Sequence, residues 1–234
     1  MIDLPSQNQE PRPEGCEVDI LVIHYTGMQS AAAALERLRD PAAKVSAHYV
    51  IDEDGAIYSL VPENRRAWHA GVACWRGSRD VNDRSIGIEL VNPGHEFGYR
   101  SFPELQMEAL VQLARDVLRR HPIPPRNVVG HADVAPLRKT DPGELFDWRR
   151  LARAGIGIWP TLREDDDRDR DLAIEEVQGL LGAYGYEAPV TGVLDEVTVA
   201  ALTAFQRHFR PARVDGLLDR ETARVLESLV AMVA

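Results

Sequence analysis

Three residues of this chain have the types and placement that a hydrolytic metal centre requires. His24 follows a run of aliphatic residues, His131 follows Val128-Val129-Gly130, and Asp141 stands ten residues further on, before Pro142-Gly143. A hydrolytic zinc site needs three protein ligands and one open position, so that bound water can lose a proton near neutral pH. Two histidines and one aspartate meet that need. Each taken singly is more often an ordinary structural residue, so the expectation is that loops on a rigid sheet bring the three together. Lys139, two residues before Asp141, is placed to donate to an oxygen that becomes negative in a tetrahedral intermediate; its alternative is a surface lysine. Tyr49 offers a second donor, although a strand tyrosine ordinarily packs and leaves its hydroxyl in water. His48, His95, His121 and His208 are expected to be non-ligands.

The elements that must position these groups follow from periodicity. Residues 18–23 are almost wholly apolar and rich in Val and Ile, which suits a buried strand ending at His24. Residues 47–51 predict a second strand; the turn Asp52-Glu53-Asp54-Gly55 then returns residues 56–61 as its hairpin partner. Residues 85–90 alternate, with Ile86, Ile88 and Leu90 on one face and Ser85, Gly87 and Glu89 on the other. That alternation points Glu89 away from the packed side. Ser101 and Glu104 have capping-box spacing ahead of Leu110, Leu113, Ala114, Val117 and Leu118, a predicted amphipathic helix of about five turns. Val128-Val129 form a short strand feeding His131. Strands and helices alternate, so the fold class is α/β, a central mixed sheet flanked by helices.

Composition narrows the function classes. The formal charge of -10 argues against a nucleic-acid protein, which needs a basic face to neutralise phosphate, and no apolar run approaches the roughly 20 residues of a membrane span. Cys16 and Cys74 lie far apart and outside any CxxC pair, so they are expected as unpaired thiols. Residues 1–16 read as a polar N-terminal arm without the basic start and apolar core of a secretion signal. A cytoplasmic location is therefore expected, or the periplasm or cell envelope if a leader was trimmed or export is non-standard. Nothing in the sequence sets an oligomeric state.

After Trp159-Pro160 the character changes. Residues 164–171 are an unbroken run of eight charged residues, so residues 161–170 are expected as a linker and 171–234 as a small three-helix domain. Within that tail, Thr191-Gly192-Val193-Leu194-Asp195 is echoed 24 residues later by Asp215-Gly216-Leu217-Leu218-Asp219. Each copy offers a glycine turn and an aspartate that can cap the helix after it.

Five segments recur in an order that resembles one family: His24-Tyr25-Thr26, Trp68-His69-Ala70-Gly71, residues 82–89 (Asn82 to Glu89), Gly130-His131-Ala132-Asp133 and Lys139-Thr140-Asp141-Pro142-Gly143. That family is the type 2 N-acetylmuramoyl-L-alanine amidases, and the resemblance covers residues 17–160. It implies that His24, His131 and Asp141 bind one zinc ion and that Glu89 is the catalytic acid or base; Lys139 is expected to assist, and Tyr25, Trp68, His69 and Asn82 are expected to meet substrate, with core packing the equal alternative for Trp68. The tail, with Val177-Gln178-Gly179-Leu180-Leu181, Tyr184-Gly185-Tyr186 and Phe205-Gln206, is similar to type 1 peptidoglycan-binding domains. The implied partner is peptidoglycan or a muropeptide, with no nucleic acid. Two alternatives stay open at this stage: a non-catalytic peptidoglycan receptor, and a wall-anchoring protein in which both parts only bind.

Overall fold

The computed structural model describes residues 1–161 and 172–234; most of the stretch expected as a linker therefore lies outside the described residues. In chain order the elements are β1 (Ile2–Asp3), β2 (Gln9–Pro11), β3 (Ile20–Tyr25), α1 (Ala31–Arg39), β4 (Tyr49–Ile51), β5 (Ile57–Ser59), β6 (Arg65–Ala67), α2 (Val81–Arg84), β7 (Ser85–Leu90), α3 (Gly94–Phe97), α4 (Glu104–Arg120), β8 (Val128–Gly130), α5 (His131–Val134), α6 (Trp148–Arg153), α7 (Ile174–Tyr184), α8 (Glu196–Phe209) and α9 (Arg220–Val233).

Six strands form a mixed sheet in the order β1-β5-β4-β7-β3-β8. Strands β3, β4, β7 and β8 run parallel, and β5 returns antiparallel to β4 as the hairpin signal predicts. Because side chains alternate, register decides what each face carries. Leu21, Ile23, Tyr49, Ile51, Ile86, Ile88 and Leu90 share one face and pack on Met107, Leu110, Leu113, Ala114 and Val117 of α4. Fully burying each such aliphatic side chain contributes about 1.5–3 kcal/mol. On the opposite face Ile20, Val22 and Val129 are buried, and His24 and Glu89 stand as cross-strand partners near the carboxyl ends of β3 and β7.

The apolar part of that second face is covered by the tail. Ile20, Val22, Trp75, Val129 and Val134 share one core with Val177, Leu181, Tyr184, Tyr186 and Phe205. The three C-terminal helices thus dock on the sheet instead of standing apart from it. Their repeat is built by one device used twice: Gln178 accepts from the N–H groups of Thr191 and Gly192 while its amide donates to Val193 O, and Gln206 does the same for Asp215, Gly216 and Leu217. Asp195 and Asp219 cap α8 and α9 by accepting from Thr198 and Thr222 N–H, as the sequence predicts. Helix α4 departs from expectation. It begins after Pro103 with no side-chain cap, and Glu104 pairs with Arg150 of α6, so Ser101 makes no capping box. The N-terminal arm is also tied down, with β1 on β5, β2 on β6, and the Arg12 guanidinium donating to Glu63 O and Ser85 O. Cys16 and Cys74 are both free thiols.

A clasp joins the loop after β5 to the end of α4. The Glu63 carboxylate accepts from Tyr49 Oη at 2.7 Å, from Arg120 at 2.7 and 2.9 Å, and from His121 Nε2 at 2.8 Å. Burial alone would raise its pKa, but the bonds from Arg120, Tyr49 and His121 win and hold it at about 2. Tyr49 therefore packs, on the face turned away from Glu89. A carboxyl with a depressed folded pKa contributes stability that is present above its unfolded value of 4.5 and lost as pH falls towards about 2. Glu63→Gln should accordingly lower the melting temperature at neutral pH, and the deficit should shrink as acid protonates the parent's carboxyl. Thermal melts across that range check this; a deficit that does not change with pH contradicts the assignment.

Candidate active site

The three expected ligands converge. His24 ends the buried part of β3, His131 opens the single turn α5, and Asp141 lies on the following loop, tied to α5 by the Ala132 N–H donating to Asp141 O at 2.8 Å. Their ligand atoms form a near-equilateral triangle: His24 Nδ1 to His131 Nδ1 is 2.9 Å, and Asp141 Oδ2 is 3.1 Å from each. All three residues are buried, and they are the metal-competent cluster found among the described residues.

Which atoms carry protons follows from the backbone. A carbonyl oxygen only accepts. The Ser85 hydroxyl donates to Val81 O at 2.6 Å, so Ser85 Oγ must accept from His69 Nε2–H at 3.1 Å. His69 Nδ1 is then bare and accepts from His24 Nε2–H at 3.0 Å, which leaves His24 Nδ1 unprotonated. On the other side His131 Nε2–H donates to Ala70 O at 3.1 Å, leaving His131 Nδ1 unprotonated as well. Burial, and next the neighbouring His131, lower His24 to a pKa of about 4, so it stays neutral at pH 7. Burial works to raise Asp141, but His131 and His24 hold its carboxyl well below the usual value. Three electron pairs with no proton between them thus face one point. Mutually repelling donors at about 3 Å spacing fit a metal ion bonded at roughly 2.0–2.1 Å to each.

Glu89 is the cross-strand partner of His24, on the same face. Its Oε2 is buried and has no hydrogen-bond partner among the described residues. Burial, reinforced by nearby Asp141 and opposed by Lys139, pushes its carboxyl well above the usual pKa. The site opens into a cleft of about 650 Å³ lined by Tyr25, Trp68, Glu89, Lys139 and Thr140 among others. Tyr25 Oη is fixed at the rim by Thr140 Oγ1 and His95 Nδ1, each at 2.9 Å, and the Trp68 indole N–H donates to Glu10.

Two residues expected at the substrate also make hydrogen bonds inside the protein. Both ring nitrogens of His69 serve the relay from Ser85 to His24. The Asn82 amide oxygen accepts from the N–H groups of His69 and Ala70, fixing the loop whose carbonyl orients His131. Ser85, expected only as a strand residue, begins that relay; its sequence signals are its place on the same strand face as Glu89 and within residues 82–89. His48, His95, His121 and His208 stay outside the cluster.

Comparison with known proteins places this geometry. Residues 14–144 match the family described as N-acetylmuramoyl-L-alanine amidase, and residues 170–226 match one described as "Putative peptidoglycan binding domain". The N-acetylmuramoyl-L-alanine amidase AmiD of Escherichia coli (strain K12) is 38% identical over 98% of this chain and 87% of its own. Its structure in complex with anhydro-N-acetylmuramic acid-L-Ala-D-gamma-Glu-L-Lys superposes with a TM-score of 0.84 over 94% of this chain and 92% of that one, at 37% identity. AmpDh3 from Pseudomonas aeruginosa in complex with anhydromuramic pentapeptide gives 0.85, with 94% of each chain covered and 39% identity. The 1,6-anhydro-N-acetylmuramyl-L-alanine amidase AmpD of Enterobacter cloacae is 35% identical over 63% of this chain and 86% of its own. Among the described residues no helix is long and apolar enough to cross a membrane.

The relay predicts the effect of one small change. Gly87 lies on β7 beneath His69, and a Cβ there would sit 2.5 Å from the imidazole Cγ. Gly87→Ala should displace His69, loosen His24 and weaken metal binding about 10- to 100-fold, as loss of an outer partner of a ligand typically does. Chelator competition measures it; unchanged affinity would show that His24 needs no support from His69.

Proposed function

The chain belongs to the N-acetylmuramoyl-L-alanine amidase family, and from that premise we propose that it hydrolyses the amide joining the lactyl group of N-acetylmuramic acid to L-alanine, with one zinc ion held by His24, His131 and Asp141. The observation that carries this is the triangle of proton-free donors beside Glu89. Two histidines and a carboxylate without cysteine are a donor set for catalytic zinc, which keeps a coordination position open. When bound there, zinc supplies Lewis acidity that polarises a carbonyl and eases deprotonation of water.

The protein's own groups do the rest. Glu89 takes the proton of the attacking water and hands it to the leaving nitrogen, so that the C–N bond breaks to a carboxylate and the free amine of L-alanine. A half-buried carboxyl whose pKa is raised suits that double role, since it holds a proton more readily than an exposed one. Lys139, on the cleft wall, donates to the oxygen that becomes negative as water adds. Tyr25 and Trp68 line the opening through which a sugar or peptide enters. Residues 17–160 form the catalytic part and 171–234 the part that meets wall polymer. Substrates are peptidoglycan or its muropeptides, and the intact donor set speaks for turnover over binding alone.

Mass spectrometry of products from purified sacculi and from a soluble muropeptide tests this proposal. The expected product pair is an N-acetylmuramic acid carboxylate and a peptide with a free L-alanine amine; cleavage elsewhere, or none, contradicts it. His24→Ala and Asp141→Ala should each lose both zinc and turnover. Glu89→Gln should keep zinc yet lose about a hundred- to ten-thousand-fold in rate. Turnover within a few-fold of the parent would remove Glu89 as the proton carrier.

A further inference from the structure

His131 is carried by a helix of only four residues, α5, whose end is closed by Ala135 N–H donating to His131 O. One turn of helix does not hold its own shape, because nucleation fixes several dihedrals for each bond gained. Its rigidity must come from its surroundings, and these centre on Asp133. That carboxylate is 2% exposed. Its Oδ2 accepts from Gly130 N–H at 2.7 Å, closing the start of the turn.

The other bonds to Asp133 come from the tail. Tyr186 Oη, just beyond α7, donates to Oδ1 at 2.6 Å, and His208 Nδ1–H, on α8, donates to Oδ2 at 2.7 Å. Both residues are buried. The His208 ring also stacks on Trp148 of α6, with centroids 3.7 Å apart. No slack exists around the turn: a Cβ on Gly130 would lie 2.7 Å from Pro142 Cδ, one residue past Asp141. A buried acceptor is costly to leave without its donors, so the two tail donors, with Gly130 N–H, hold the Asp133 carboxylate in line.

We propose that the C-terminal helices are part of the metal site, with Tyr186 and His208 acting through Asp133 as positioning residues for His131. The segment that resembles a wall-binding domain would then serve the catalytic turn on every substrate, polymer or fragment. This rests on the zinc amidase reading above.

The test uses the full chain and a soluble muropeptide, which needs no polymer tether. Tyr186→Phe removes one hydroxyl without opening a cavity; His208→Leu removes the second donor, and His208→Asn restores a donor near the Nδ1 position. Zinc affinity by chelator competition should fall about tenfold in Tyr186→Phe and His208→Leu, with kcat lowered, KM unchanged and part of both effects restored in His208→Asn. Val193→Ser, in an exposed tail turn, should leave affinity and kcat at parental values. Full zinc affinity and parental kcat in both Tyr186→Phe and His208→Leu would overturn the proposal and confine the tail to wall binding. Should Tyr186→Phe fail to fold, the comparison of His208→Leu with His208→Asn decides. A parent chain that binds no zinc and releases no L-alanine amine would instead remove the amidase reading itself.

Discussion

A backbone carbonyl can accept a hydrogen bond and cannot donate one, and the site depends on that constraint at two points. Val81 O sets the direction of every bond from Ser85 through His69 to His24, and Ala70 O sets the tautomer of His131. Both chains end with a bare Nδ1 facing Asp141. Other features of the region serve these two chains. Gly87 leaves room for the His69 ring over β7, and Asn82 pins the loop that presents Ala70 O. The protein thus pre-arranges electron pairs that repel one another, and a cation at their meeting point is what relieves that repulsion.

The same sheet solves two packing problems on one face. Its far side is apolar, aliphatic except for Tyr49, and sealed by α4, which fixes strand register; a one-residue slip would turn His24 and Glu89 into the core. The near side is split. Ile20, Val22 and Val129 are buried under Trp75 and the C-terminal helices, while further along the strands Glu89 lines the cleft beside its buried cross-strand partner His24. Apolar cover at one end of the strands and a polar cleft at the other keep Glu89 poorly solvated, and that is why its carboxyl is raised.

Much of this was legible in the sequence, for reasons that are local. The strand at residues 20–25, the alternation at 85–90 and the caps at Asp195 and Asp219 are written in patterns a few residues long. The convergence of His24, His131 and Asp141 followed from their positions after predicted strands and from the resemblance. Groups whose partners are distant in the chain were less legible. The bonds of His69 to Ser85 and His24, and of the Asn82 amide oxygen to the His69 and Ala70 N–H groups, were not legible, because only the folded chain brings those partners close. Ser101 has the spacing of a cap, but Pro103 and the pull of Arg150 on Glu104 set the helix start elsewhere. The docking of the tail through Tyr186 and His208 onto Asp133 spans 53 and 75 residues, which no periodicity reveals.

In the proposed site, backbone-fixed tautomers aim two Nδ1 atoms and one carboxylate oxygen at a single zinc. Anomalous diffraction at the zinc edge, on crystals of protein purified without added metal, locates that ion and so tests this assignment. One peak is expected per chain, about 2.0–2.2 Å from His24 Nδ1, His131 Nδ1 and Asp141 Oδ2, with Glu89 outside bonding distance. Ligation through either Nε2, a peak elsewhere, or no peak at these residues would contradict it.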